Sequence, residues 1–291
     1  SARGAYAHSA AELGSALSTL DFKRRLCRDT FQPLRMRAGL ALLLVCGANG
    51  LSTPTAYARR SACQLAAAAV LASPALSALA DDADPQLVSL YFGAGCFWHV
   101  QHEMVTHERT ELKRKGAELT AVTGYAGGTR KDTQGLVCYH NPQGIADYSR
   151  LGHTEVVKVT VPVEAVPSFA KKYIALFGSQ GLRHDPQDKG GEYRSAIGLP
   201  GGTASPMYES IAEAAIASPM RLVAGKGDEG DTLGDRTIYV YDSQAFPFYP
   251  AELYHQFHDD MGQKYGTKYN NNLQTLYQAK RIGTTGCPDI I

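Results

Sequence analysis

The chain has 291 residues, 44% of them hydrophobic and 20% charged, with a net charge of +1. That balance is ordinary for a globular protein and leaves room for one large domain or two small ones. Residues 1–80 hold nine Lys and Arg against three Asp and Glu, so the rest of the chain holds twenty against twenty-five. This mildly acidic remainder shows no basic stripe, which argues against nucleic-acid binding.

In chain order, the first 80 residues read as a targeting leader. Two apolar runs, "GLALLLVCGA" (39–48) and "LAAAAVLASPALSALA" (65–80), fall short of the roughly 18 to 20 residues that span a bilayer, and Pro74 breaks the second. No stable membrane insertion is therefore expected. Arg35 and Arg37 precede the first run, Arg59-Arg60 precede the second, and Ala78-Leu79-Ala80 ends it as a processing site does. Two such signals in tandem point to import in two stages. The expectation is a plastid protein, passing into the thylakoid lumen by a twin-arginine-like route, with secretion or another organelle as the alternative.

From Asp81 to Ile291 a single domain is expected, ending in a flexible tail over 283–291. "QLVSLYFG" (86–93) reads as an apolar strand, and the segment from Cys96 as a helix ending near Gly116. Strands are expected at "LTAVTGY" (119–125), "HTEVVKVTV" (153–161), "YRSAIGL" (193–199) and "RTIYVYD" (236–242). Helices are expected at "PSFAKKYIALFG" (167–178), with Phe169, Tyr173 and Phe177 on one stripe, at 205–218, and at 249–265 with Pro250 in its first turn. Strands interleaved with helices imply helices covering a mixed sheet, an α+β arrangement. The loop from Gly124 to Gly152 is long enough to be functional.

Three cysteines (96, 138 and 287) lie in this domain, and no C-x-x-C pair accompanies them. Thiol chemistry is the natural reading. Cys96 follows a strand and Gly-Ala-Gly, placing it at a helix start where free N–H groups favour a thiolate. That field is worth about 0.3 to 1 kcal/mol, less than one pKa unit, so further activation is needed. Glu155 shares strand parity with Val157 and Val159; on a core face its pKa would rise and it would serve as a general acid. In the alternative register Val156 points inward and Glu155 is solvated. Tyr193 shares parity with Ser195, Ile197 and Leu199, which would set its ring in the core and its hydroxyl at the strand's end.

"GCFW", "GYAGG", "GHTEVV", "HDP" followed by D-x-G-x-x-YRSAI, and "YPAE-x-YHQ", in this order, resemble the A-type peptide-methionine sulfoxide reductases from about Val88 to Tyr265. The resemblance implies a two-layer sandwich with a ferredoxin-like plait core, acting as a monomer on methionine S-sulfoxide, free or in proteins. It casts Cys96 as the nucleophile that becomes a sulfenic acid, Phe97 and Trp98 as apolar walls for the substrate methyl group, and Glu155 as the proton donor. Asp188 and Tyr193 match the substrate-orienting pair, and Tyr125 of "GYAGG" joins the binding residues. For a further loop tyrosine, Tyr139 and Tyr148 compete, and Tyr148 is nearer the "LGHTE" strand. The resemblance also implies that Cys287 in the tail recycles the enzyme. Either Cys138 takes part, or a reductant such as thioredoxin acts on a Cys96–Cys287 bond. No bound cofactor and no metal is expected.

Two features depart from the family: His99 stands where Gly usually follows Phe-Trp, and the loop before Glu155 is longer. Competing readings are a cysteine hydrolase using His153, His184 or His255, a metal site on "HVQH" or "HQFH", and a pocket that binds oxidised methionine without turnover. The first does not explain Phe-Trp after the nucleophile. The last would require a lost nucleophile or acid, and both are present.

Overall fold

In the computed structural model, residues 85–288 are described; the expected leader over 1–80 lies outside them. Seven strands form one sheet: β1 (Leu87–Gly93), β2 (Val122–Ala126), β3 (Thr154–Pro162), β4 (Ala196–Leu199), β5 (Arg221–Ala224), β6 (Thr237–Asp242) and β7 (Tyr249–Pro250). Their order is β5-β6-β4-β1-β3-β2-β7. The central four, β4-β1-β3-β2, are antiparallel and arise from β1-α1-β2-β3-α2-β4, with α1 at Phe97–Glu111 and α2 at Val166–Ala175. This is the expected ferredoxin-like plait. It is extended by β6 and β5, parallel to β4, and by β7, antiparallel to β2.

Alternation within strands builds the layers. Leu90, Phe92, Val157, Val159, Ile197 and Val240 join Val100, Met104, Phe169 and Tyr173 of the helices in the main core. Tyr91, Val156, Ala196 and Tyr241 form a smaller cluster from residues of opposite parity. Each large apolar side chain so buried contributes about 1.5 to 3 kcal/mol. The stripe of Phe169, Tyr173 and Phe177 is buried as its spacing predicts, and the Tyr173 hydroxyl donates to the Gly93 carbonyl at 2.7 Å. That bond anchors the end of β1, from which the Cys96 turn departs.

Three expectations are corrected. Helix α1 stops at Glu111, five residues before Gly116, and the backbone turns at Lys113 with φ 58°. The segment 249–265 is not a helix. Tyr249 and Pro250 pair with β2, Leu253–His255 make one 3₁₀ turn, and Phe257 takes φ 55°. The Gln256 side chain explains this departure: it accepts from the Thr123 N–H and donates to the Thr123 and Ala251 carbonyls, so the segment follows the sheet edge instead of coiling. Tyr193 does not lie in a strand either; it ends a 3₁₀ turn at Gly191–Tyr193, and β4 begins at Ala196. Besides β7, three further elements were not foreseen, β5 and the short helices α4 (Thr267–Asn270) and α5 (Asn272–Gln278), while α3 (Tyr208–Ala215) fits the periodicity of 205–218. No helix among the described residues is long and apolar enough to cross a membrane.

Candidate active site

Cys96 is the N-cap of α1, as its position after Gly-Ala-Gly predicts. Gly95 has φ +81°, and a Cβ there would lie 2.5 Å from Asp188 Oδ2. The same Oδ2 accepts the Cys96 N–H at 2.8 Å, and the Gly95 N–H donates to the Tyr193 carbonyl. Asp188 and Tyr193, far from Cys96 in sequence, are thus fastened to its turn. Gly95→Ala would meet both left-handed strain and the Asp188 carboxylate, and is expected to cost about 1 to 3 kcal/mol. The shift in urea midpoint measures it.

The strand-face expectation for Glu155 holds. It is 2% exposed, on the parity of Val157 and Val159. Val156 is buried as well, on the opposite face, because this end of β3 is covered on both sides. Glu155 Oε2 accepts the Phe97 N–H at 2.9 Å, and Oε1 accepts the Tyr148 hydroxyl at 3.1 Å. Burial outweighs these two donors and pushes the carboxyl up to about 8. The acid is therefore held mostly protonated at neutral pH.

Cys96 behaves differently from a thiol tuned by a helix terminus alone. Burial, and then the Glu155 carboxylate, push it well up, against the opposing effect of the Trp98 N–H. The expected thiolate-favouring field is outweighed, and Cys96 rests as a thiol. It is the free cysteine among the described residues.

Aromatic rings surround this pair. Phe97 is buried, with Tyr125, Tyr139 and His255 rings 6.0, 6.5 and 5.3 Å from it. Trp98, half-buried, stacks on His258 at 4.3 Å and on His255 at 5.8 Å. Tyr193 is half-buried, and its hydroxyl is pushed up by burial and then by the charges of Glu155, Tyr139 and Cys96. The loop tyrosines divide their roles. Tyr148 is fully buried and holds Glu155, whereas Tyr139 is half-buried and is raised by burial and by Glu155 and Cys96. Tyr125 lies behind them, fully buried, with its hydroxyl donated to Glu252 at 2.8 Å.

Sequence reasoning missed the residues that hold this arrangement. Arg194, 1% exposed, donates to the carbonyls of Gly127, Gly152 and Gly191 and to the Tyr241 hydroxyl, tying three of the quoted motifs together. Arg183 donates to the Asp188 and Tyr193 carbonyls and pairs with Asp231. A lone arginine in a motif carries no signal of its burial. Glu252 and His255 stood inside "YPAE-x-YHQ", which read as a helix, and nothing in that pattern marks them as buried.

Of the two recycling alternatives, the structure joins Cys138 to Cys287 in a disulfide. Cys138 is buried within the long loop, where its N–H donates to the Ala146 carbonyl and its carbonyl accepts the Tyr148 N–H. Neither histidine pair forms a ligand set by itself: His255 and His258 turn onto Trp98, while His99 stacks on His184 at 3.9 Å. His99, His184 and Asp260 do bring ligand atoms within 4.8 Å of one another, a set that could hold a cation. The two rings lie 6° from parallel, so their lone pairs do not converge as ligation requires. Burial and the neighbouring His184 lower His99 to about 4.

The family model described as peptide methionine sulfoxide reductase matches residues 88–282. A peptide methionine sulfoxide reductase MsrA of Streptomyces griseus is 32% identical over 171 residues, 57% of this chain and 64% of that relative. The chain thus spans a little under two thirds of that relative's length. MsrA of Geobacter metallireducens is 28% identical over 178 residues, covering 60% of this chain and 91% of its own. Peptide methionine sulfoxide reductase A2-1 of Oryza sativa is 29% identical over 214 residues, 71% of this chain and 95% of that one. With the model match covering the sheet, the Cys96 turn and the Glu155 strand together, the chain belongs to the peptide methionine sulfoxide reductase family.

Proposed function

We propose that the chain reduces methionine S-sulfoxide, free or in proteins, to methionine. The observation that carries this reading is the pairing of a free Cys96 with a buried Glu155 whose Oε2 accepts the N–H of the next residue, Phe97. The Cys96 sulfur attacks the sulfoxide sulfur while the Glu155 carboxyl gives its proton to the sulfoxide oxygen. The oxygen passes to Cys96 as a sulfenic acid, the thiol's own proton returns to Glu155, and methionine leaves. Phe97 and Trp98 form the methyl-binding wall, and the Tyr193 hydroxyl orients the oxygen. Asp188 acts through its hold on the Cys96 turn, and Tyr148 through its hold on Glu155. Tyr125 supports the wall from behind.

A sulfenic acid needs a thiol to remove it. The Cys287 thiol attacks Cys96 and expels water; Cys138 then takes over Cys287, giving the observed Cys138–Cys287 bond. A thioredoxin-like dithiol supplies the two electrons that reopen it. No bound metal or organic cofactor is required for these steps. The domain over 81–291 acts as a monomer, and residues 1–80 form a removable leader directing it to the plastid. The basic, acid-poor composition of that leader, Arg59-Arg60 and Ala78-Leu79-Ala80 support this address.

The test offers the S and R epimers of a methionine sulfoxide separately to the full chain with dithiothreitol. Reduction of the S epimer alone is expected. Reduction of neither would remove the assignment, and equal reduction of both would remove the epimer preference.

A further inference from the structure

The sulfurs of Cys138 and Cys287 and a carboxylate oxygen of Glu252 all lie within 4.8 Å of one another. Glu252 is 4% exposed. Its Oε1 accepts the Tyr139 N–H and its Oε2 the Tyr125 hydroxyl, both at 2.8 Å, which fixes the carboxylate and uses two of its roughly four acceptor positions. The remaining positions are open to a thiol proton, directly or through one water. The two cysteines differ in freedom. Cys138 is fully buried and locked by backbone bonds to Ala146 and Tyr148, whereas Cys287 is partly exposed and follows Gly283 and Gly286, where an added Cβ would meet open space or ordinary contact. On the recycling reading above, the tail thiol is the one that moves and the loop thiol is the fixed partner.

We infer that Glu252 is the proton-transfer residue for disulfide exchange between the travelling Cys287 and the fixed Cys138. This inference rests on the recycling reading given above. A buried thiol is a poor nucleophile until it loses its proton. When the tail returns with Cys287 bonded to Cys96, Glu252 takes the Cys138 proton. The Cys138 thiolate attacks Cys287 Sγ, the Cys138–Cys287 bond forms, the Cys96–Cys287 bond breaks, and Cys96 leaves as a thiolate that takes a proton from water. During reduction, an external dithiol attacks the more exposed Cys287 and Cys138 leaves, recovering its proton from Glu252. The second thiol of that reductant then frees Cys287, so two electrons enter and one dithiol is oxidised.

The ionisable groups around Glu252 are Tyr125 from β2, Tyr139 and Cys138 from the loop, Cys287 from the tail, and Tyr254 and His255 on its own turn. Glu155 is the cross-strand partner of Tyr125. Burial raises Tyr125 and Tyr139, and burial lowers His255 to about 3, so these three stay neutral through the range tested. Glu155 titrates in that range, but identically with and without Glu252, and cancels in a ratio of rates.

The experiment uses the full chain carrying Cys27→Ser, Cys46→Ser, Cys63→Ser and Cys96→Ser, which leaves Cys138 and Cys287 as its two thiols, reduced and then mixed with a chromogenic aryl disulfide. Cys287 reacts first and releases one aryl thiolate; attack by Cys138 releases a second, and the rate of that second release reports the exchange. Adding Cys138→Ser should abolish the second release. Glu252→Gln should slow it by about 10²-fold at about pH 6.5, with the difference shrinking several-fold or more at about pH 9.5, where a thiol ionises unaided. Slowing by the same factor at both pH values would show that Glu252 only positions the loop, and no slowing would show that it has no part; either overturns the inference. If Glu252→Gln fails to fold, Glu252→Asp keeps a carboxylate and should retain the wild-type pH dependence at a reduced rate; its loss would equally overturn the inference. The recycling reading fails separately, if Cys138→Ser in the otherwise native chain leaves thioredoxin-driven sulfoxide turnover unchanged.

Discussion

Replacing Cys96 with serine is expected to abolish sulfoxide reduction, a loss of at least about 10⁴-fold, because a hydroxyl neither attacks the sulfoxide sulfur nor carries away its oxygen as a stable acid. The fold should survive. Serine keeps the N-cap geometry and the backbone N–H that Asp188 holds, so the turn at Gly95 has no reason to move. The measurement is single-turnover reduction of an S-sulfoxide by the reduced chain, with thermal unfolding as the control. Retained turnover in a folded variant would transfer the chemistry to another thiol, and the buried Cys138 is poorly placed to inherit it.

Glu155→Gln is expected to lower the rate at neutral pH by about 10² to 10⁴-fold with a smaller effect on KM, since it removes a proton donor and keeps the volume. The native rate should fall as pH rises through about 8, where the acid ionises, while the residual rate of the variant should lack that fall. Stability provides a second readout with a defined sign. The folded carboxyl sits above its unfolded value, so its contribution is fully present below about pH 4.5 and is lost as pH rises through about 8. Above that, the native chain bears an ionised buried carboxylate that glutamine does not. Urea midpoints should therefore favour Glu155→Gln increasingly from acid to alkaline pH, by several kcal/mol on the order set by the shift. A difference that stays constant with pH would mean that Glu155 is ionised throughout and is not the acid.

Where the sequence carried periodic or steric information, the structure was legible in it. Gly-Ala-Gly before Cys96 announced a tight turn into a helix, and the alternation of Glu155, Val157 and Val159 placed the acid on the core face. The segment 249–265 was misread because three of its polar residues do not face water. Glu252, His255 and Gln256 are spaced as on a helix, but all three are buried: Glu252 and Gln256 complete hydrogen bonds of the long loop and of β2, and His255 packs among the rings of Phe97, Trp98 and Tyr139. No local pattern distinguishes these two uses of a polar side chain. Tyr193 was given a strand position by parity alone; the turn that precedes β4 depends on Arg194 reaching back to Gly191 and across to Gly127 and Gly152. Such long-range anchors are invisible in a single chain, and so was the choice of Cys138 over Cys96 as partner for Cys287.

The bond between Cys138 and Cys287, which are 149 positions apart, also closes a ring that contains most of the sheet. Closing a ring of that length removes unfolded conformations worth about 5 kcal/mol in the chain-entropy account. The protein is thus sturdiest when spent and most easily unfolded when charged with electrons. A pool of this chain left without reductant would accumulate in the heat-resistant and protease-resistant form, preserved until electrons return.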